Sequence, residues 1–158
     1  MEALQHKEYH LSALNDLIRI NNDRITGYEN RLDFTLDTDL ENIFLRFIYQ
    51  SRQNIFDITR CISYLGGKPD SGTKLSGKFY HAWTDLRSKI IKQNRQTLLD
   101  YCEYTEDVAK SAYRKALDDN ELHSDKNILV LLKTEFEDLK RSHSLIMGLR
   151  NDLNNTAA

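Results

Sequence analysis

Four side chains carry the chemistry this chain could attempt. Glu29, Glu103, Glu106 and His143 supply carboxylates and an imidazole, donors that suit iron, manganese or zinc. Held at one depth of a helical bundle, such a set could bind a metal pair and support redox work. A complete dimetal site takes one Glu from each of two helices and a Glu-x-x-His pair from each of the other two. The i, i+3 spacing is needed because both side chains must leave the same face of the helix. Here the residue three before His143 is Lys140, whose ammonium does not ligate. Glu137 is six before and points away, and Glu135 is nearer the right face but about two turns distant. The helix around Tyr49 has no histidine, and its acids Asp39, Glu41 and Asp57 lie at its entrance or off its inward stripe. Glu29, Glu103, Glu106 and His143 would therefore need solvent to complete any coordination shell.

Glu106, His143 and Asn21 also sit on apolar stripes where an ordinary core would want leucine. A buried carboxylate needs a partner or must stay protonated. The simpler use of these groups is a buried hydrogen-bond network with Tyr113 or Tyr28, since buried polar groups are mostly paired rather than catalytic. Its minimal form is an ion pair of Glu106 with His143. That pair would raise the His143 pKa, and stability would then fall as pH rises through it. Other candidates are weaker. His6 and His10 share a face at i, i+4 and could hold a stray divalent ion at a fraying end. GGKPDSG lacks the Gly-Lys-Ser/Thr ending of a phosphate loop, and no serine or cysteine sits in a nucleophile motif.

These residues need helices to place them. Leu11, Leu14, Ile18, Asn21, Ile25, Tyr28 and Leu32 alternate by three and four, predicting a helix over about 8–34. Thr38 and Glu41 form a capping-box signature before a second helix, about 39–65, with Phe44, Phe47, Ser51, Ile55, Ile58 and Ile62 inward. Gly66 suits a left-handed C-cap. Asn94 is an N-cap for a third helix, about 95–117, whose stripe is Leu99, Cys102, Glu106, Ala109, Tyr113 and Ala116. The fourth spans about 125–153, with Leu132, Phe136, Leu139, His143 and Ile146 in line.

Between the second and third helices lies a crossover, about 66–94, with the chain's only proline, Pro69, and an aromatic segment around Phe79 and Trp83 that reads as a short helix. The other connections are a few residues long. Short links make antiparallel neighbours, and one long link returns the chain to its starting end. The fold class is thus all-α: a four-helix bundle of two antiparallel pairs with ferritin-like connectivity. Helices one and four are then parallel, and Glu29, Glu103 or Glu106, and His143 fall within one or two turns of one level. A plain up-down-up-down bundle is the alternative.

The 158 residues fit a single domain that buries roughly 70% of its unfolded surface. A net charge of −2 removes the simplest case for a nucleic-acid or anionic-membrane binder. No apolar run approaches the ~20 residues that span a bilayer, and MEALQHKEYH lacks a signal-peptide core. Cys61 and Cys102 form no metal spacing, so reduced thiols in a cytoplasmic protein are expected. Self-association, as a dimer, would cover stripe edges and crossover aromatics.

With these elements in place, four segments carry a resemblance. They are LNDLIRINNDRITGYE (Leu14–Glu29), LGGKPDSGTKLSGKFYHAWTDLRS (Leu65–Ser88), CEYTEDVAKSAYRKALDD (Cys102–Asp119) and LKRSHSLIMGLRND (Leu139–Asp152). In this order the chain resembles a bacterial family of uncharacterised four-helix-bundle proteins classed with the ferritin-like folds. The resemblance implies that fold and no assigned activity, with a stress-related role suspected. The expectation is a non-enzymatic bundle acting through protein contacts. A metal-binding or redox bundle using Glu29, Glu103, Glu106 and His143 is the alternative, and a small-molecule binder using the polar interior comes third.

Overall fold

The computed structural model describes residues 1–33, 35, 37–70 and 94–156. They form four long helices and one 3-10 turn, with no strand among them. The helices are α1 (Glu2–Leu32), α2 (Thr38–Tyr64), α3 (Arg95–Leu117) and α4 (Lys126–Thr156), and the turn, Leu122–Ser124, precedes α4. The short helix expected in the crossover falls on residues 71–93, outside those described.

The inward stripes read from the sequence are the faces the bundle buries. Leu14, Ile18, Asn21 and Tyr28 of α1 face Phe44, Phe47, Ser51, Ile58 and Ile62 of α2, and the whole α3 stripe from Leu99 to Ala116 is buried. His143 is an exception, since its side chain keeps 19% of its surface exposed. Contacts run in opposite order along α1 and α2, with Asn21 reaching Asn54, Arg24 reaching Ser51 and Tyr28 stacking on Phe44. The same holds for α3 and α4, where Tyr113 meets Glu135 and Glu103 meets Arg150.

Both helix pairs are thus antiparallel. Arg95, at the start of α3, donates to Asp37 (3.0 Å) and Asp39 (2.6 Å) at the start of α2. The two helices therefore begin at one end of the bundle and run parallel.

The helix ends show where local signals win and lose. Gly66 takes φ +70°, and Gly66 and Gly67 donate to the carbonyls of Ser63 and Ile62. That is a Schellman closure, which an L side chain at Gly66 would strain. Asn94 caps α3 as expected, its side chain accepting from Thr97 N–H at 2.7 Å. The Thr38–Glu41 capping box does not form. The helix starts one residue early, its N-cap is Asp37, and no side-chain cap bond is made. The carboxylate of the new N-cap, Asp37, and that of Asp39 are instead turned to Arg95 in charge-assisted bonds. At the other end α1 begins at Glu2, earlier than its stripe implies. His6 pairs with Glu121, Tyr9 donates to Asp119, and His10 donates to the Glu121 carbonyl at 2.7 Å, so the first turns rest on the α3–α4 connection.

The core is in two parts. One apolar cluster centres on Leu14, Ile18, Ile58, Ile62, Ala109, Leu132 and Leu139. The other holds Tyr28, Leu40, Phe44, Phe47, Leu99, Cys102 and Ile146. Each fully buried aliphatic or aromatic side chain stabilises the fold by about 1.5–3 kcal/mol relative to exposure. Between the clusters lies a belt of polar side chains.

Candidate functional site

The belt is built from one position on α1 outward. Arg24 follows Asn21 by three and precedes Tyr28 by four, so all three leave α1 on its buried face. From α3, Glu106 meets Arg24 as a fork, with Nε to Oε1 at 2.8 Å and Nη2 to Oε2 at 2.9 Å. Both side chains are wholly buried. Nη1 of Arg24 donates to Ser51 Oγ at 2.8 Å and to the Phe47 carbonyl at 3.3 Å. The guanidinium carbon sits 4.9 Å from the centre of the Phe47 ring. Tyr28 adds a third donor to Glu106 at 2.7 Å. The charge pair is thus enclosed, bidentate and hydrogen-bonded on its outer lone pairs, as a buried pair must be to offset its desolvation.

One turn along, Asn54 donates to Asn21, Asn21 donates to the Tyr113 hydroxyl at 2.8 Å, and Tyr113 donates to Glu135 at 2.8 Å. This chain crosses the bundle from α2 through α1 and α3 to α4. Burial pushes the Glu135 carboxyl up to about 8, against the Tyr113 hydrogen bond, which lowers it. Burial also drives the Tyr28 and Tyr113 phenols well above their ordinary value, assisted by Glu106 and Glu135 respectively. Arg31, a further two turns up α1, lies with its guanidinium carbon 3.8 Å from the centre of the Tyr101 ring. Burial lowers its pKa to about 10. Gly27, on the same face, leaves room for the Tyr101 hydroxyl, because a Cβ there would meet that oxygen.

The four residues singled out as ligands go to different partners. Glu29 is half-exposed and accepts from Arg52 at 2.7 Å. Glu103 is paired with Arg150. Glu106 is held by Arg24 and Tyr28. His143 Nδ1 accepts from Lys110 at 3.2 Å, and its Nε2 lies 3.7 Å from Asp107. Among the described residues no three His, Cys, Asp or Glu side chains come close enough to share an ion. Glu106, with both oxygens taken by a guanidinium, presents no free donor pair to a cation.

The expected Glu106–His143 ion pair is likewise not formed. Its physical reason is the nearer cation, because Arg24 lies on the facing stripe of α1 while His143 sits at the rim beside Lys110. The His143 pKa is accordingly lowered, by burial first and then by Lys110, where the proposed pair would have raised it.

The network expected from Glu106, Asn21, Tyr28 and Tyr113 is present without His143. Sequence reasoning left Arg24 and Glu135 out of it, along with Ser51 and Asn54. Arg24 carries the same three-and-four spacing as its neighbours, but an arginine on a stripe reads as a solvated charge until its acid is found. Glu135 lies three after Leu132 and four before Leu139, the same signal. Both cysteines are free, Cys102 buried and Cys61 partly so. Burial raises each thiol pKa, so neither is a ready nucleophile.

No helix among the described residues is long and apolar enough to cross a membrane. A search of the curated proteins finds no match to the chain. The family model for a domain of unknown function, DUF2383, matches residues 10–119. That span takes in the Arg24–Glu106 pair and Tyr113 and leaves out Glu135 and His143. A match over more than half of the chain shows that the protein belongs to the DUF2383 family.

Proposed function

We propose that the chain is a ferritin-like four-helix bundle of the cytoplasm that acts through protein contacts rather than catalysis, in a stress-related role. The parallel run of α2 and α3, joined by the long 66–94 connection, supports the ferritin-like connectivity. The observation that carries the non-enzymatic reading is the Arg24 guanidinium, which stands against both oxygens of Glu106 in the bundle interior. A guanidinium there does the work of a cation, neutralising the one wholly buried acid of the belt, and leaves no exchangeable position for substrate. On this reading the belt fixes which helix faces meet, a use for which buried polar pairs are best attested.

The test is metal content and iron chemistry. Untagged protein purified without chelator is expected to hold far less than one equivalent of iron, manganese or zinc. It is expected to leave the rate of ferrous oxidation in air unchanged. Stoichiometric metal that is lost in Glu106→Gln would overturn the reading in favour of a carboxylate metal centre.

A further inference from the structure

We propose that the outer face of α2 is an interface between two copies of this chain, packed antiparallel about a two-fold axis at residues 50 and 51. This rests on the reading of the bundle as one that acts through protein contacts, and names the contact.

The face carries large exposed apolar side chains around a single arginine, Arg52, whose charge is met by Glu29 of the same chain. Leu45, Tyr49 and Phe56 are 47%, 65% and 59% exposed. Their spacings of four and seven place them on one stripe of α2, opposite the stripe buried against α1. The charges that flank the stripe are arranged for its own mirror. Glu41 lies four residues before Leu45 and Arg60 lies four after Phe56, on the same face. Neither makes an ion pair among the described residues, and the Arg60 guanidinium carbon lies 5.9 Å from the centre of the Phe56 ring. They cannot reach each other within a chain, because nineteen residues of helix separate them by about 28 Å.

An antiparallel copy removes that separation. A two-fold axis midway between Gln50 and Ser51 sets Leu45 against Phe56 of the second copy, Tyr49 against Arg52, and Glu41 against Arg60. Every one of these pairs occurs twice, which is the self-complementarity an isologous dimer needs. The apolar pairs supply the contact, and the Glu41–Arg60 pairs fix its register and its antiparallel sense rather than its strength. A parallel or slipped copy would bring Arg60 against Arg60 or strand both charges.

The test is sedimentation velocity on the full chain at tens of micromolar. The wild type is expected to be a dimer. Glu41→Arg and Arg60→Glu are each expected to weaken it at least tenfold, and the double variant carrying both is expected to restore it. Rescue can come only across chains, since the two positions are far apart within one. Phe56→Glu, which sets a carboxylate against Leu45 of the second copy, is expected to give monomer with an unchanged helical circular-dichroism spectrum.

A wild type that stays monomeric overturns the inference, as does a dimer indifferent to all three substitutions or a double variant that is not rescued. The metal assay separates this failure from failure of the reading beneath it. A metal-free monomer overturns the α2 pairing alone, whereas metal bound through Glu106 overturns the reading on which it rests.

Discussion

A buried arginine facing a buried glutamate is a demanding arrangement, because each charge is tolerable only while the other is present. Removing one partner leaves an enclosed, uncompensated charge, at a cost of about 3–5 kcal/mol. Replacing both by apolar groups of similar volume is often neutral. For this chain Glu106→Leu is therefore expected to lower the urea-unfolding free energy by about 4 kcal/mol, and Arg24→Met to do nearly as much. The double variant should recover most of the loss, short of the bonds left open at Tyr28 and Ser51. Strictly additive losses would reject a coupled pair. Glu106 was legible in the sequence as a misplaced acid, and its need for a partner followed from desolvation alone. Which partner was not legible, since Arg24 and His143 both lay on facing stripes and only the rotation of α1 against α3 decides between them.

At the scale of elements, the stripes and the antiparallel pairing they imply were read correctly, whereas which side chains meet between helices was not. The stripes, the Asn94 cap and the Gly66 closure are local, and all three are in place. The Thr38–Glu41 capping box did not form because the helix begins a residue earlier, with Asp37 as its N-cap and that carboxylate held by Arg95 from another element. Gly27 is a further two-helix feature, since nothing within α1 asks for a glycine there. Its Cα faces the Tyr101 ring, with Cζ 3.5 Å and the hydroxyl nearer still to where a Cβ would stand. Alanine would normally favour the helix by up to about 1 kcal/mol. Here Gly27→Ala is expected to destabilise by more than 1 kcal/mol in thermal unfolding. Tyr101→Phe, which deletes the clashing oxygen, should restore the usual benefit of alanine in the double variant. A Gly27→Ala protein as stable as wild type would show that α1 and α3 do not approach as closely as described.

The molecule as a whole should carry a stability profile set by its buried titrating groups. Unfolded, the Glu135 carboxyl ionises near the ordinary glutamate value of 4.5, whereas folded it holds its proton to about 8. Between these values only the unfolded chain releases the proton. Stability therefore falls as pH rises through that window and levels off above it. Asp57 and Asp138 reinforce the effect, and the Tyr113 hydroxyl opposes it. Glu135→Gln is expected to flatten the descent and to stabilise the protein at pH 8 by about 4 kcal/mol, with little change near pH 4.5. His143 acts with the opposite sign. Its folded pKa is lowered, so the unfolded chain takes up the proton first as pH falls below the ordinary histidine value, and stability drops on the acid side. Denaturation midpoints from pH 4.5 to 9 would read both, and a profile unchanged by Glu135→Gln would reject the first.

The pairing of Arg24 with Glu106 divides one neutral unit between the two halves of the chain, the cation before the 66–94 connection and the anion after it. A ribosome makes them in that order. Before residue 106 is made, α2 can offer Arg24 only neutral partners, the Ser51 hydroxyl and the Phe47 carbonyl, and its charge has no acid to meet. The charge of the first hairpin is thus one that only the second can discharge, and Arg24 in the isolated hairpin is expected to favour water over the interior.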